Sequence, residues 1–140
     1  MSRLRTTTSG IIKNVVQPTA GIKLDRVSYS ACKIVYELSE DDIQITEIVC
    51  DVCLETYESY ELVQDLLFSV GCELFPCSTD FSWGRLVAYL IFCRKLALHS
   101  RDIGGIDYSA VIVEYAQKFV TQYLLEAIAQ HGGWVSLYYI

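Results

Sequence analysis

The chain has 140 residues, 52% of them apolar and 20% charged, with only 2 prolines and 8 glycines; this suits one compact domain over residues 1–140 and excludes a disordered linker or a turn-built scaffold. Lys and Arg number 11 against 17 Asp and Glu, a net charge of -6, so no basic surplus exists from which to build a nucleic-acid-binding face. Hydrophobic spacing is helical almost throughout and no useful run alternates apolar and polar residues, which predicts an all-α class. A first helix is expected over residues 4–16, stopped by Pro18 and Gly21. A second runs from about Asp25, a good N-cap, to Leu38, with Val27, Ala31, Ile34 and Val35 on one side. The acidic stretch 39–42 then breaks it and charges the start of a third helix over residues 43–54, where carboxylates suit the positive end of the dipole.

Residues 55–70 carry the clearest amphipathic stripe, with Tyr60, Val63, Leu67 and Val70 spaced 3, 4 and 3 apart, and Gly71 is the expected terminator. Residues 72–81 contain Pro76 and cap-type side chains and read as a connection. Ser82 can cap the next helix, in which residues 86–93 are apolar around every face. A helix with no wet side must be surrounded by its neighbours. Arg94 and Lys95 are expected to return it to water. Beyond Gly104 and Gly105, a stripe of Ile112, Tyr115, Phe119, Tyr123 and Ala127 continues to His131; Gly132 and Gly133 end it, leaving residues 134–140 as a short terminal helix. The whole reads as seven or eight helices around a central hydrophobic helix hairpin.

The opening residues lack the apolar stretch of a secretory signal, and no segment approaches the roughly 20 apolar residues of a membrane span. The expectation is a cytoplasmic chain with no transmembrane anchor, whose six cysteines are reduced and mostly buried. Cys50-x-x-Cys53 lies inside an apolar helical pattern, with no second such pair and only His99 and His131 elsewhere, so neither a metal site nor a cofactor is expected. No Ser/His/Asp order and no phosphate-cradling glycine loop is present, which argues against an enzyme.

Two features are out of place. Arg85 stands in the first turn of the most apolar helix, where a cation is disfavoured. It either pairs within its own chain or serves as an anion receptor at a groove edge. Gly84 beside it costs helix stability, and glycine is useful where another backbone approaches closely. The second feature is Gly132-Gly133-Trp134, which alone reads as a helix stop with a packing aromatic.

Together, the stretch from Ser82 and Trp83 through Gly84 and Arg85 to Phe92, and the later Gly132-Gly133-Trp134, resemble the first and second homology regions of the Bcl-2 family of apoptosis regulators, in order and at a similar separation. Residues 57–68 also resemble that family's fourth helix, so the resemblance covers about residue 57 to the C-terminus. Several departures stand out. Residues 69–81 are more than the family usually has at that junction, Ser82 replaces the usual Asn, and Cys32 stands where the acidic residue of a third homology region around Val27, Ala31 and Ile34 would be. A short, tail-less chain keeping the first two regions resembles a viral homologue.

The resemblance implies a binding protein that captures the third-homology-region helix of pro-apoptotic relatives, both Bim-like ligands and Bax- and Bak-like effectors, in a surface groove, and so suppresses host cell death. Such a helix presents apolar side chains at i, i+4, i+7 and i+11 together with one Asp. On that pattern Tyr60, Val63 and Leu67, with Val87, Ala88 and Phe92, form the apolar floor, Gly84 admits the ligand backbone and Arg85 pairs with the Asp. Location would then be the cytoplasm of the host cell, with recruitment to mitochondria through partners. A second binding reading keeps the fold and drops the groove, as a dimerising adaptor in innate immune signalling; a homodimer is the arrangement that tests it. A pro-apoptotic effector is disfavoured by the degenerate third region and the absent anchor.

Overall fold

The computed structural model describes residues 2–17, 24, 26–41, 59–77, 80–102 and 107–139. Among them lie six α-helices: α1 (Ser2–Val16), α2 (Arg26–Asp41), α3 (Tyr60–Leu74), α4 (Trp83–Asp102), α5 (Ser109–Phe119) and α6 (Leu125–Gln130). A π-helical turn, Val120–Leu124, joins α5 to α6, and a 3-10 turn, Trp134–Tyr139, follows. No strand occurs among the described residues. The helix predicted over residues 43–54 lies outside them, as does the Asp25 cap.

The bundle is organised around α4. Leu86, Tyr89, Leu90, Cys93 and Leu96 are at most 1% exposed, and Val87, Ile91 and Phe92 are buried with them, because α1, α2, α3 and α5 all pack against this helix. Ser82 begins it as expected: its hydroxyl accepts the backbone N–H of Arg85 at 3.1 Å, satisfying one of the first-turn amides that have no partner inside the helix. Arg94 and Lys95 do not return α4 to water. The helix continues to Asp102, and Arg94 is half-buried, its Nη1 donating to the Val15 carbonyl at the end of α1 (3.1 Å). An Arg stem can follow an apolar surface while its head finds an orphaned carbonyl.

Three further boundaries differ from expectation. Helix α2 runs through Asp41 rather than breaking at residue 39; Ala31 and Val35 are core residues, with Val27, Cys32 and Ile34 partly buried against them. Gly71 does not terminate α3. It is a buried residue inside the helix, three positions before its end, and a Cβ there would fall well inside contact distance of three ring carbons of Phe119. The missing side chain lets the Phe119 ring lie against the α3 backbone. Consequently residues 72–74 are helical, and the connection is reduced to residues 75–82.

The single helix predicted beyond Gly104 and Gly105 and running to His131 is broken by the π turn. In the stripe of Ile112, Tyr115, Phe119, Tyr123 and Ala127, Tyr123 proves 55% exposed, whereas Phe119, Val120, Leu124, Leu125 and Ile128 are buried. One extra residue per turn rotates the following segment, so the side chain four after Phe119 faces water and the one five after it faces the core. At the C-terminal end, Gly133 N–H donates to the Ile128 carbonyl (2.9 Å) and Gly132 N–H to Ala129 (3.2 Å). With φ of +92° and +74° at the two glycines, this is a Schellman stop.

The close approach of α3 and α5 at Gly71 is testable. Gly71→Ala gains helix propensity but must displace the Phe119 ring, so a net loss of about 1–3 kcal/mol is expected. Urea unfolding measures it, and a Phe119→Leu background is expected to remove most of the penalty.

Candidate functional site

The two tryptophan motifs, about fifty residues apart in sequence, meet in space. Trp83 at the start of α4 and Trp134 at the start of the 3-10 turn lie with ring centroids 5.6 Å apart. Phe81 packs edge-on against Trp83 (5.3 Å) and Phe75 stacks on Phe81 (6.1 Å), so a chain of rings runs from the end of α3 to the C-terminal turn. Trp134 is buried, and its Nε1–H donates to the hydroxyl of Thr8 in α1 at 2.8 Å, with Thr8 itself fully buried. A buried indole needs such an acceptor.

On this frame Gly84 and Arg85 sit at an exposed corner. A Cβ at Gly84 would meet nothing nearer than the Ser82 hydroxyl at 3.9 Å, which leaves open space over the backbone. The Arg85 Nη1 donates to the Leu74 carbonyl at 2.9 Å. That carbonyl is one of those left unpaired at the C-terminus of α3, where a cation is also favoured by the dipole. Of the two readings of Arg85, part of the first is present, since the side chain does bond its own chain. However, it bonds a carbonyl, and among the described residues it pairs with no carboxylate. A guanidinium has five donors, so the remaining N–H groups stay available to an anion.

The other predicted floor residues divide. Gly84, Ala88 and Phe92 share one row of α4 at steps of four, passing from exposed through half-buried to buried. Val87 is 6% exposed, beneath that row. On α3, Tyr60 is exposed and packs edge-on against Tyr108 at 5.2 Å, whereas Val63 and Leu67 have no exposed surface and belong to the core. A ligand can therefore touch Tyr60, Gly84, Arg85 and Ala88 directly, while contact with Val63 or Leu67 requires local opening of the packing over them.

Sequence reasoning missed Thr8, which anchors Trp134. It was visible in principle: among the three threonines 6–8, only Thr8 falls on the face of Ile11, Ile12 and Val15, at spacings of 0, 3, 4 and 7. Beneath the site, Tyr89 is fully buried and its hydroxyl has no hydrogen-bond partner. Burial, with Cys93 beside it, raises the Tyr89 phenol well above its ordinary value, and burial likewise pushes the Cys93 thiol up to about 12. Cys93 is a packed core thiol. Of the four described cysteines, Cys93 is buried, Cys32 is half-buried and Cys72 and Cys77 are exposed, so the expectation of mostly buried thiols does not hold among them. Among the described residues, no cluster of His, Cys, Asp and Glu could hold a metal and no helix is long and apolar enough to cross a membrane.

A helical bundle enclosing an apolar central helix, with a Trp-Gly-Arg corner joined to a Gly-Gly-Trp turn, defines the class of Bcl-2-like proteins. The family model described as apoptosis regulator proteins, Bcl-2 family, matches residues 32–134, and the chain belongs to that family. By sequence it is similar to mouse (Mus musculus) apoptosis regulator BAX, 25% identical over 121 residues, which cover 86% of this chain and 59% of that protein. It is also similar to the human (Homo sapiens) Bcl-2 homologous antagonist/killer, 31% identical over 81 residues, covering 57% of this chain and 34% of that one. The matches thus span less than two thirds of these relatives. By structure, crystalline chicken BOK aligns with TM-score 0.78 at 17% identity over 99% of this chain and 95% of its own, and human BOK in solution with 0.78 at 14% over 98% and 97%. At that identity the likeness establishes the fold.

Two outcomes follow from the geometry. Trp134→Phe strands the buried Thr8 hydroxyl, and a loss of about 1–3 kcal/mol is expected by chemical denaturation; adding Thr8→Val, which removes the stranded group, is expected to recover much of it. Tyr89 and Cys93 both hold their protons more tightly folded than unfolded, so unfolding releases protons at alkaline pH. The stability they contribute is full below about pH 9 and declines above it, which thermal melts across pH 7 to 11 measure, with a shallower decline in Cys93→Ala.

Proposed function

We propose that this chain captures the amphipathic third-homology-region helix of pro-apoptotic Bcl-2 relatives along the Tyr60, Gly84, Arg85 and Ala88 surface, and by sequestering such helices suppresses cell death. One observation carries the reading: Gly84 leaves its backbone open beside an exposed Arg85 that pairs with no carboxylate among the described residues. A helix laid over Gly84 can come closer than any side chain there would allow, and an Asp on it meets the spare guanidinium donors. Its apolar side chains enter beside Ala88 and, as the packing opens, reach Val63, Leu67, Val87 and Phe92. Each buried anchor contributes on the order of 1.5–3 kcal/mol, against about 1 kcal/mol or less for an exposed ion pair. Arg85 then sets register and specificity more than total affinity.

The opposite effect on cells is the second reading, favoured by similarity to BAX and to a protein titled antagonist/killer. The two differ in what the purified chain does to membranes. A sequestering chain protects mitochondria-like liposomes from an added effector, whereas a killer permeabilises them itself.

Calorimetry against a panel of synthetic helices with apolar residues at i, i+4, i+7 and i+11 and one Asp is expected to find at least one tight binder. Arg85→Glu is expected to weaken it about tenfold or more while circular dichroism stays unchanged and melting falls only slightly, by the loss of the exposed bond to the Leu74 carbonyl. Absence of binding by every helix, or indifference to the charge reversal, overturns the site.

A further inference from the structure

A second concavity shares no residue with the row proposed to bind a helix. It is a cavity of about 680 Å³ between the C-terminal half of α3, residues 75–77 and Phe81, and the π turn leading into α6. That volume is in the range of small-molecule sites rather than of a helix groove. Its walls are aromatic. On one side Phe68, Phe119 and Tyr123 form a triangle with centroids 6.4, 6.4 and 5.2 Å apart; on the other, Phe75 stacks on Phe81, whose ring lies 4.8 Å from that of His131. Phe68 and Tyr123 are 43% and 55% exposed, so ring surface is available to a ligand and is not spent within the core.

Among the described residues that line this cavity Glu126 carries a negative charge and none is Lys or Arg, while Gln130 adds a neutral polar group. His131 also lines it, with Nδ1 2.8 Å from the Ala127 carbonyl. A carbonyl only accepts, so Nδ1 carries the proton in that bond and Nε2 of the neutral ring is left as an acceptor. A carboxylate, an imidazole acceptor and several electron-rich ring faces together favour a cation that donates hydrogen bonds. The wall carrying Tyr123 is the π turn itself, a backbone irregularity that recurs at functional sites. Here it turns Tyr123 out to the rim while Phe119 stays in the wall.

We propose that this cavity binds a small hydrophobic ammonium compound, a flat aromatic body bearing one protonated primary amine, with the ammonium toward Glu126 and His131 and the body against Phe68, Phe119 and Tyr123. The test uses the full chain, labelled with nitrogen-15, and two isosteric probes: 1-naphthylmethylamine, which is cationic at pH 7, and neutral 1-naphthalenemethanol. The amine is expected to bind about fivefold more tightly than the alcohol, the scale of one exposed ion pair, and to shift the amides of residues 119–131. Glu126→Gln is expected to erase that preference and leave the alcohol unaffected, while Tyr123→Ala weakens both; each side chain is exposed, so the fold is retained. Equal affinity of the two probes, no binding by either, indifference to Glu126→Gln, or shifts confined to the Gly84 and Arg85 corner overturns the proposal.

Discussion

A helix that is apolar on every face cannot exist at a surface, and that single constraint organises the chain. Residues 86–93 have no side to offer water, so α1, α2, α3 and α5 must all supply apolar stripes to them. Each burial serves both partners, since an amphipathic helix of ordinary length has little stability until its face is covered. Even the polar groups obey it. Tyr89 tolerates a buried hydroxyl without a partner, at a cost on the order of 1–3 kcal/mol that its ring burial offsets. Arg94 finds the end of α1 rather than solvent.

Enclosure also explains why the surface chemistry gathers at one end. Along residues 86–93 nearly every face of α4 is occupied, and its first turn emerges, where Gly84 and Arg85 stand exposed. That turn is held from several directions: Ser82 caps it, Trp83 packs on Trp134, Trp134 bonds Thr8, and Arg85 reaches the end of α3. Thr8 and Trp134 are separated by 126 positions in the chain, so the corner forms only when the termini come together. A preorganised corner spends less ordering entropy on binding than a loop would.

The identity of the elements was legible where periodicity is strong. Helix α1 and the enclosure of residues 86–93 could be read because their apolar spacing has one interpretation, and the two glycines before Trp134 because their backbone freedom suits a helix stop. Errors arose where a residue's local preference and its tertiary use diverge. Gly71 reads as a terminator by propensity, but its absent side chain serves the Phe119 ring, which lies in a different helix. Ser39 and the acidic Glu40 and Asp41 are poor helix continuations, yet α2 extends over them. The π turn was invisible because the stripe through Tyr123 and Ala127 fits a 3.6 period as well as the buried set through Leu124 and Ile128 fits the longer one. For the candidate site, sequence proximity singled out Gly84 and Arg85, which are exposed, but could not show that Val63 and Leu67 are packed into the core.

Arg85 illustrates how a motif residue can be held in place by the fold and still keep donors to spare. Its first-turn position is electrostatically poor for α4, whose N-terminus is positive, and favourable for α3, whose C-terminus lies within reach at the Leu74 carbonyl. The second helix end therefore compensates for the first, and the side chain is held without a carboxylate partner among the described residues. Holding it with a carbonyl rather than a carboxylate preserves its charge and most of its donors. A lysine at the same place would have to choose, because a single ammonium cannot span a helix end and an incoming carboxylate with the fixed fork geometry of a guanidinium. The same bond that fastens α3 to α4 thus orders a charged side chain at the surface within the fold itself.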